Sequence, residues 1–195
     1  MPTSKGLVAL TFDAGSDLGA TLQSLEVLRA RGVRSTFFIT GSFAEKWPAV
    51  VKQMASDGHE LGNHSYSHPD FTKLSDKEIR QELAKAEDAI ARAAGRVPIA
   101  LVRTPYGSRD ARVLRVIGES GYRSVYWALD SADWRPEATP EGVADRVLKG
   151  VGAGDVVVQH CSTVASARGL PAILEGLNRG GLVPVTVGSL LSENR

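Results

Sequence analysis

One cysteine, Cys161, occurs in the 195 residues, so no internal disulfide can form. That fits a reducing compartment and does not exclude an exported domain. Long apolar runs are missing as well, and no stretch could span a bilayer. The residues before Leu7 lack the basic stretch, apolar core and small-residue cleavage site of a signal peptide. The expectation is therefore a cytoplasmic protein or a mature chain. Neither sign of charge dominates: 23 Lys and Arg face 22 Asp and Glu, for a net charge of +1. No basic run tracks phosphates, which argues against nucleic acid and anionic membrane as partners. Linkers, low-complexity segments and sequence repeats are absent too.

What is present is a 43% hydrophobic chain of a length that suits one compact domain with a full core. Strand-like and helix-like segments alternate from end to end. Leu7 to Phe12 is an apolar run ending at Asp13. Leu22, Leu25, Val27 and Leu28 recur at helical spacing, with a stop near Gly32. Arg34 to Thr40 reads as a strand, Pro48 to Ser56 as a helix, and His59 to Gly62 as a short strand. Ser75 with Glu78 forms a capping box. It opens a helix to about Ala94, with Ile79, Leu83, Ala86 and Ile90 inward and Gly95 as the stop. Ile99 to Val102 is a strand, Asp110 to Ser120 a helix, and Tyr122 to Leu129 a strand. Thr139 and Pro140 open another helix. Asp155 to His160 is a strand whose Val156-Val157-Val158 run fits burial on both faces. A helix over Leu170 to Asn178 and a strand over Leu182 to Val187 close the chain. Such alternation predicts a parallel sheet with helical crossovers. Roughly seven units favour a closed or nearly closed barrel over an open sheet.

Five segments rich in chemistry follow the strand-like runs. They are Thr11-Phe12-Asp13, His64-Ser65-Tyr66-Ser67-His68, Arg103-Thr104-Pro105-Tyr106-Gly107, Asp130-Ser131-Ala132-Asp133-Trp134 and Val158-Gln159-His160. Carboxylates, imidazoles and a guanidinium at successive strand ends point to one site built from several loops. The spacing of His64 and His68 would put two imidazoles on one face of a helical turn, able to grip one cation. Zinc, cobalt or nickel suits such nitrogen donors. Each segment has an ordinary reading when taken singly. The two histidines could be polar loop residues, Asp13 a helix cap, Pro105 and Gly107 a plain turn, Asp130 to Trp134 a capping loop, and His160 a structural histidine. Their joint arrangement favours the site. Cys161 reads as a buried, inert thiol, His59 as structural, and Trp47, Phe71 and Trp127 as core or rim.

In this order the five segments resemble the polysaccharide deacetylases of the NodB-like, carbohydrate esterase 4 type, from Leu7 to Leu191. The resemblance implies one catalytic domain over residues 1–195, with an α/β fold: a distorted (β/α) barrel of about seven parallel strands. It implies a divalent metal, zinc first, held by His64 and His68. Asp13 would be the general base. Arg103 would form a charge-assisted bond to Asp13, orienting it. Tyr106 would aim its backbone N–H at the oxyanion and line the groove. Asp133 would bond His160 and raise its pKa, making His160 the general acid. Trp134 and Val158 would wall the acetyl pocket. The departure is Ala14, where the family pattern Thr-Phe-Asp-Asp-Gly carries a metal-binding Asp. Water or Asp17 could fill that position.

The implied activity is removal of N-acetyl groups from a polysaccharide or oligosaccharide, peptidoglycan or chitin-type N-acetylglucosamine. O-acetyl xylan hydrolysis is the first alternative. A non-catalytic, glycan-binding domain with a weakened metal site is the second. An acetylated glycan is the implied partner, and an extracellular or cell-wall location is implied by the family alone.

Overall fold

The structure is a computed structural model describing residues 6–15 and 17–193. The leader reading above concerns positions before Leu7, and residues 1–5 lie outside the described residues. Two compact units emerge. Of the described residues, one comprises 6–13, 18–36 and 127–193; the other comprises 14, 15, 17 and 37–126.

The first unit is organised around β1 (Gly6–Ala14), whose residues from Val8 onward are buried. Burial on both faces accounts for its continuous apolar character. It pairs in parallel with β7 (Val156–His160) on one side and β8 (Leu182–Val185) on the other. A short β6 (Leu129–Asp130) lies outside β7, also parallel. Helices α1 (Thr21–Ala30), α6 (Pro140–Gly150), α7 (Val164–Arg179) and α8 (Val187–Glu193) belong to the same unit. Val8, Leu10, Phe12, Leu25, Leu28 and Ile173 are fully buried there. Gly19 is needed for close approach: its φ is +41°, and a Cβ would lie 2.1 Å from the Ser162 carbonyl oxygen.

The second unit holds β2 (Thr36–Ile39), β3 (Glu60–Asn63), β4 (Leu101–Val102) and β5 (Arg123–Ser124), in that order across the sheet. The β3–β4 and β4–β5 pairings are parallel. Its helices are α2 (Gly41–Lys46), α3 (Pro48–Ser56), α4 (Asp76–Ala94) and α5 (Ala111–Glu119). Phe71, Ile79, Leu83, Val102, Val113, Val116 and Ile117 pack as one apolar cluster. The Ser75–Glu78 capping box is formed, and Gly95 ends α4 in the left-handed conformation.

Several expectations are corrected. Tyr122 to Leu129 is not one strand: β5 ends at Ser124 and pairs with β4, whereas β6 begins at Leu129 and pairs with β7. Helix α1 turns Thr21, Ser24, Leu25 and Leu28 inward and leaves Leu22 exposed. Helix α7 begins at Val164, capped by Thr163, and carries Pro171 inside it. The short helices α2 and α8 lack any long apolar period that would announce them. No described helix is long and apolar enough to cross a membrane.

Candidate active site

In both units the chemistry-bearing residues sit at or just after the C-terminal ends of parallel strands, where α/β folds place ligands. In the first unit the β1–β7 register sets Asp13 opposite His160. Asp13 is buried within the strand and is not a helix cap. The His160 ring is 34% exposed, while the Asp133 carboxylate beneath it is fully buried. Asp133 Oδ1 lies 2.8 Å from His160 Nδ1, and Oδ2 accepts from the His160 backbone N–H at 2.7 Å and from Thr163 Oγ1 at 2.9 Å. Three donors thus hold one buried carboxylate against the ring. Burial pulls the imidazole pKa down, but the Asp133 hydrogen bond and charge, with the charges of Asp13 and Asp130, raise it overall. His160 is therefore set to carry a proton above the ordinary histidine range.

The loop between β6 and Asp133 is shaped by Asp130. Its carboxylate accepts from the Ala132 N–H at 2.7 Å and from Trp134 Nε1 at 3.3 Å. Trp134 is 55% exposed, a placement compatible with walling a ligand. Val158, by contrast, is buried, with β1 and β6 as its strand neighbours. Cys161 is fully buried. It accepts from Thr21 Oγ1 and contacts the Asp13 carbonyl. Burial is the main cause pushing its thiol pKa up to about 12, which makes it inert.

In the second unit His64 follows β3. Its backbone N–H donates to the Ile39 carbonyl. Its Nδ1 lies 2.8 Å from the Arg103 carbonyl. A carbonyl only accepts, so Nδ1 carries the hydrogen and Nε2 presents the lone pair, as in histidines that bind metals. The His64 and His68 ring centroids are 4.9 Å apart. No helical turn joins them: Ser65 and His68 both adopt left-handed backbone, with φ of 66° and 64°. The spacing brought the rings together, but through a strained loop. Tyr106 also has positive φ, 58°, and its ring meets His68 at 4.6 Å. Tyr106 is 70% exposed. Arg103 is wholly buried, its guanidinium carbon 4.2 Å from the Phe38 ring centroid.

Ala14 is also in this unit, and fully buried. The backbone at 14–15 is pinned by Thr40, whose N–H donates to the Ala14 carbonyl and whose hydroxyl donates to that of Gly15. Position 14 and His64 are thus both tied to the end of β2, at Thr40 and Ile39. A methyl offers no donor, and Asp17 is exposed. Among the described residues no group of three or more His, Cys, Asp or Glu is gathered to hold a metal. The two imidazoles of the His64–His68 loop are nitrogen donors of a type that could hold a divalent ion.

Sequence reasoning missed the residues that hold these loops. Glu82, on α4, accepts from the Tyr66 and Ser67 N–H groups and from the Ser67 hydroxyl, each at 2.8 Å. Asn63 accepts from the Ser65 N–H and donates to the Leu83 carbonyl. Thr163 steadies Asp133. Of these only Asn63 carries a local sign, as an Asx residue before a bend. Glu82 is one polar position among many on its helix.

Each unit thus has the parallel α/β architecture in which polar side chains gather on the loops after the strands. The chain belongs to the polysaccharide deacetylase family, whose model matches residues 1–125. It is 35% identical over 198 residues to a peptidoglycan-N-acetylglucosamine deacetylase of Bacillus cereus, covering 100% of this chain and 71% of the relative. A family 4 carbohydrate esterase from Streptomyces lividans, solved with acetate, superposes with a TM-score of 0.84 at 34% identity, over 92% of this chain and 91% of that one. A family 4 pseudoenzyme from Bacillus anthracis superposes with a TM-score of 0.90 at 26% identity, over 96% of this chain and 66% of that one. These likenesses bear out the expected family and its parallel α/β fold.

Proposed function

We propose that this chain hydrolyses N-acetyl groups on a peptidoglycan or chitin-type glycan, in or near a cell wall. The observation that carries the reading is the β1–β7 register, with a buried aspartate beside an imidazole whose proton is secured by Asp133. A carboxylate beside an imidazole that keeps its proton makes an acid–base pair. On this reading Asp13 takes a proton from water as that water attacks the acetyl carbonyl carbon. The Tyr106 backbone N–H donates to the developing oxyanion. His160 then protonates the nitrogen as the C–N bond breaks, releasing acetate and a free amine. Arg103 acts as a positioning residue for the base, and Trp134 bounds the acetyl group, with Val158 packed beneath the site. His64 and His68 would hold a divalent ion, zinc first, which when bound polarises the carbonyl and acidifies water.

The test is acetate release from an N-acetylated oligosaccharide. Asp13→Asn should lower the rate by about 10²–10⁴-fold; a rate near wild type would remove Asp13 as the base.

A second reading has its own support. The buried methyl at Ala14 leaves two protein donors for the ion, and one family member of the same fold is a pseudoenzyme. A chain that binds zinc weakly, binds acetylated glycan and releases no acetate with any divalent metal would be a glycan-binding module.

A further inference from the structure

The loop bearing Tyr106 carries a second feature that the chemistry above does not use. Two residues past the turn, Arg109 folds back so that its Nη1 donates to the Gly107 carbonyl at 3.3 Å. Its guanidinium carbon lies 3.3 Å from the centroid of the Tyr126 ring. Tyr126 is 43% exposed and Arg109 is exposed. Among the described residues this guanidinium has no carboxylate partner. In the same unit Arg80, Arg92, Arg112 and Arg115 each face one, from Glu119, Glu45 or Asp76. The carboxylates beside this loop, Asp110 next to Arg109 and Asp70, which accepts a hydrogen bond from Ser108, are occupied. Asp110 accepts from the Val113 N–H as the cap of α5, and Asp70 accepts from Thr72 and faces Lys73.

A planar cation laid on an aromatic face keeps its N–H donors at its edge, directed outward. The stack covers that face of Tyr126, so the ring positions the arginine and is not itself a platform for a sugar. An arginine held this way has already lost much of its rotamer freedom, which lowers the cost of binding. Its fork matches an oxyanion taken bidentately, a carboxylate or a phosphate; on a glycan of the class proposed above that group is a carboxylate. Neutral sugar hydroxyls have no need of it. The first unit repeats the theme on its own loop, where Arg135 lies over the exposed Trp134 ring at 5.6 Å.

We propose that Arg109, positioned by Tyr126, reads a carboxylate on the sugar next to the acetylated one. The glycan this chain prefers is then anionic, not neutral. This deepens the glycan reading above and concerns binding, so it holds whether or not the chain turns over. The carboxylate could belong to an O-lactyl ether on the neighbouring sugar or to a peptide attached through it, and the probes separate the two sources.

Titration calorimetry of the full chain would use three peptide-free probes: a tetrasaccharide alternating N-acetylglucosamine with O-lactyl N-acetylglucosamine, its carboxyl-reduced form, and chitotetraose. The lactyl glycan should bind about tenfold tighter than the other two. Arg109→Gln should bring that ratio to one while leaving the neutral glycans unchanged, and Tyr126→Leu should narrow it. Arg80→Gln removes the same charge from an ion pair elsewhere and should leave the ratio intact. A ratio of one in the wild type with these probes, but not with a peptide-bearing strand, would overturn the sugar carboxylate and assign the contact to the peptide. An unchanged ratio in Arg109→Gln, or no binding of any glycan, would overturn the proposal entirely. Acetate assays on the same samples keep the two claims apart. Selective binding without acetate release would remove only the deacetylase reading, and turnover indifferent to the carboxylate would remove only this one.

Discussion

His160 is the residue on which the acid role turns, and its environment makes a directional prediction. Its imidazole is raised by Asp133, Asp13 and Asp130 against the opposing effect of burial. The protonated, acid-competent form therefore persists above the ordinary imidazole value of about 6.5. Activity should fall only as pH climbs through that raised value. In Asp133→Asn the alkaline limb of kcat/KM should move to lower pH, and an unmoved limb would detach Asp133 from the acid. The linkage to stability has the same sign. A raised folded pKa stabilises fully below the unfolded value, and that stabilisation is lost as pH rises through the folded one. Cys161 gives a second residue-scale expectation. With its thiol pushed up to about 12 and fully buried, it should resist a disulfide reagent at pH 8 in the native protein and react once the chain is unfolded. Fast native labelling would contradict the burial. At this scale the sequence was informative because motifs name residue types. It was silent about Glu82 and Thr163, whose importance lies in what they touch.

Among the elements, those with strong local signals were legible. Helix α4 shows this: Ser75 and Glu78 announce its start, Gly95 its end, and its buried face is Ile79, Leu83, Ala86, Ala89 and Ile90. Ser75→Ala should cost about 1 kcal/mol, lowering Tm by roughly 2–4 °C for a chain of this size. A melt indistinguishable from wild type would show the cap to be redundant. Elements with weak signals were misread. The apolar stretch after Tyr122 looked like one strand because each part has strand composition, yet β5 and β6 pair with different neighbours. The four-residue spacing of His64 and His68 suggested a helical turn. The loop instead uses left-handed residues at 65 and 68, supported by Asn63 and Glu82. Among the described residues the non-glycine positions with positive φ, Ser65, His68, Tyr106 and Ala132, all fall in the chemistry-bearing segments. Strain concentrated there is a mark of function, and it is invisible to composition.

For the molecule as a whole, the proposed ion site turns on Ala14. Placing a carboxylate at this fully buried site without a cation should destabilise the fold by about 3–5 kcal/mol. Zinc should then restore stability, since a ligand at 100 times its Kd adds about 2.7 kcal/mol. Calorimetric scans of Ala14→Asp should therefore show a low Tm without zinc and a zinc-dependent rise larger than in wild type. An equal rise in both would mean that position 14 lies outside the ion's reach. His64→Ala should abolish the wild-type rise, and its survival would move the ion away from the histidine pair.

By itself the sequence determined the alternation of strands and helices, the strongest caps and stops, the family, and the chemical types available to the site. These follow from periodicity, turn residues and motifs that act over a few positions. Only the tertiary structure decided that residue 13 meets residue 160 in register, that Asp133 spends its buried carboxylate on that imidazole, and that Arg109 is held on Tyr126. Such pairings join residues far apart in the chain, and they exist only once strand register and burial have set which groups lose water and which must find each other instead.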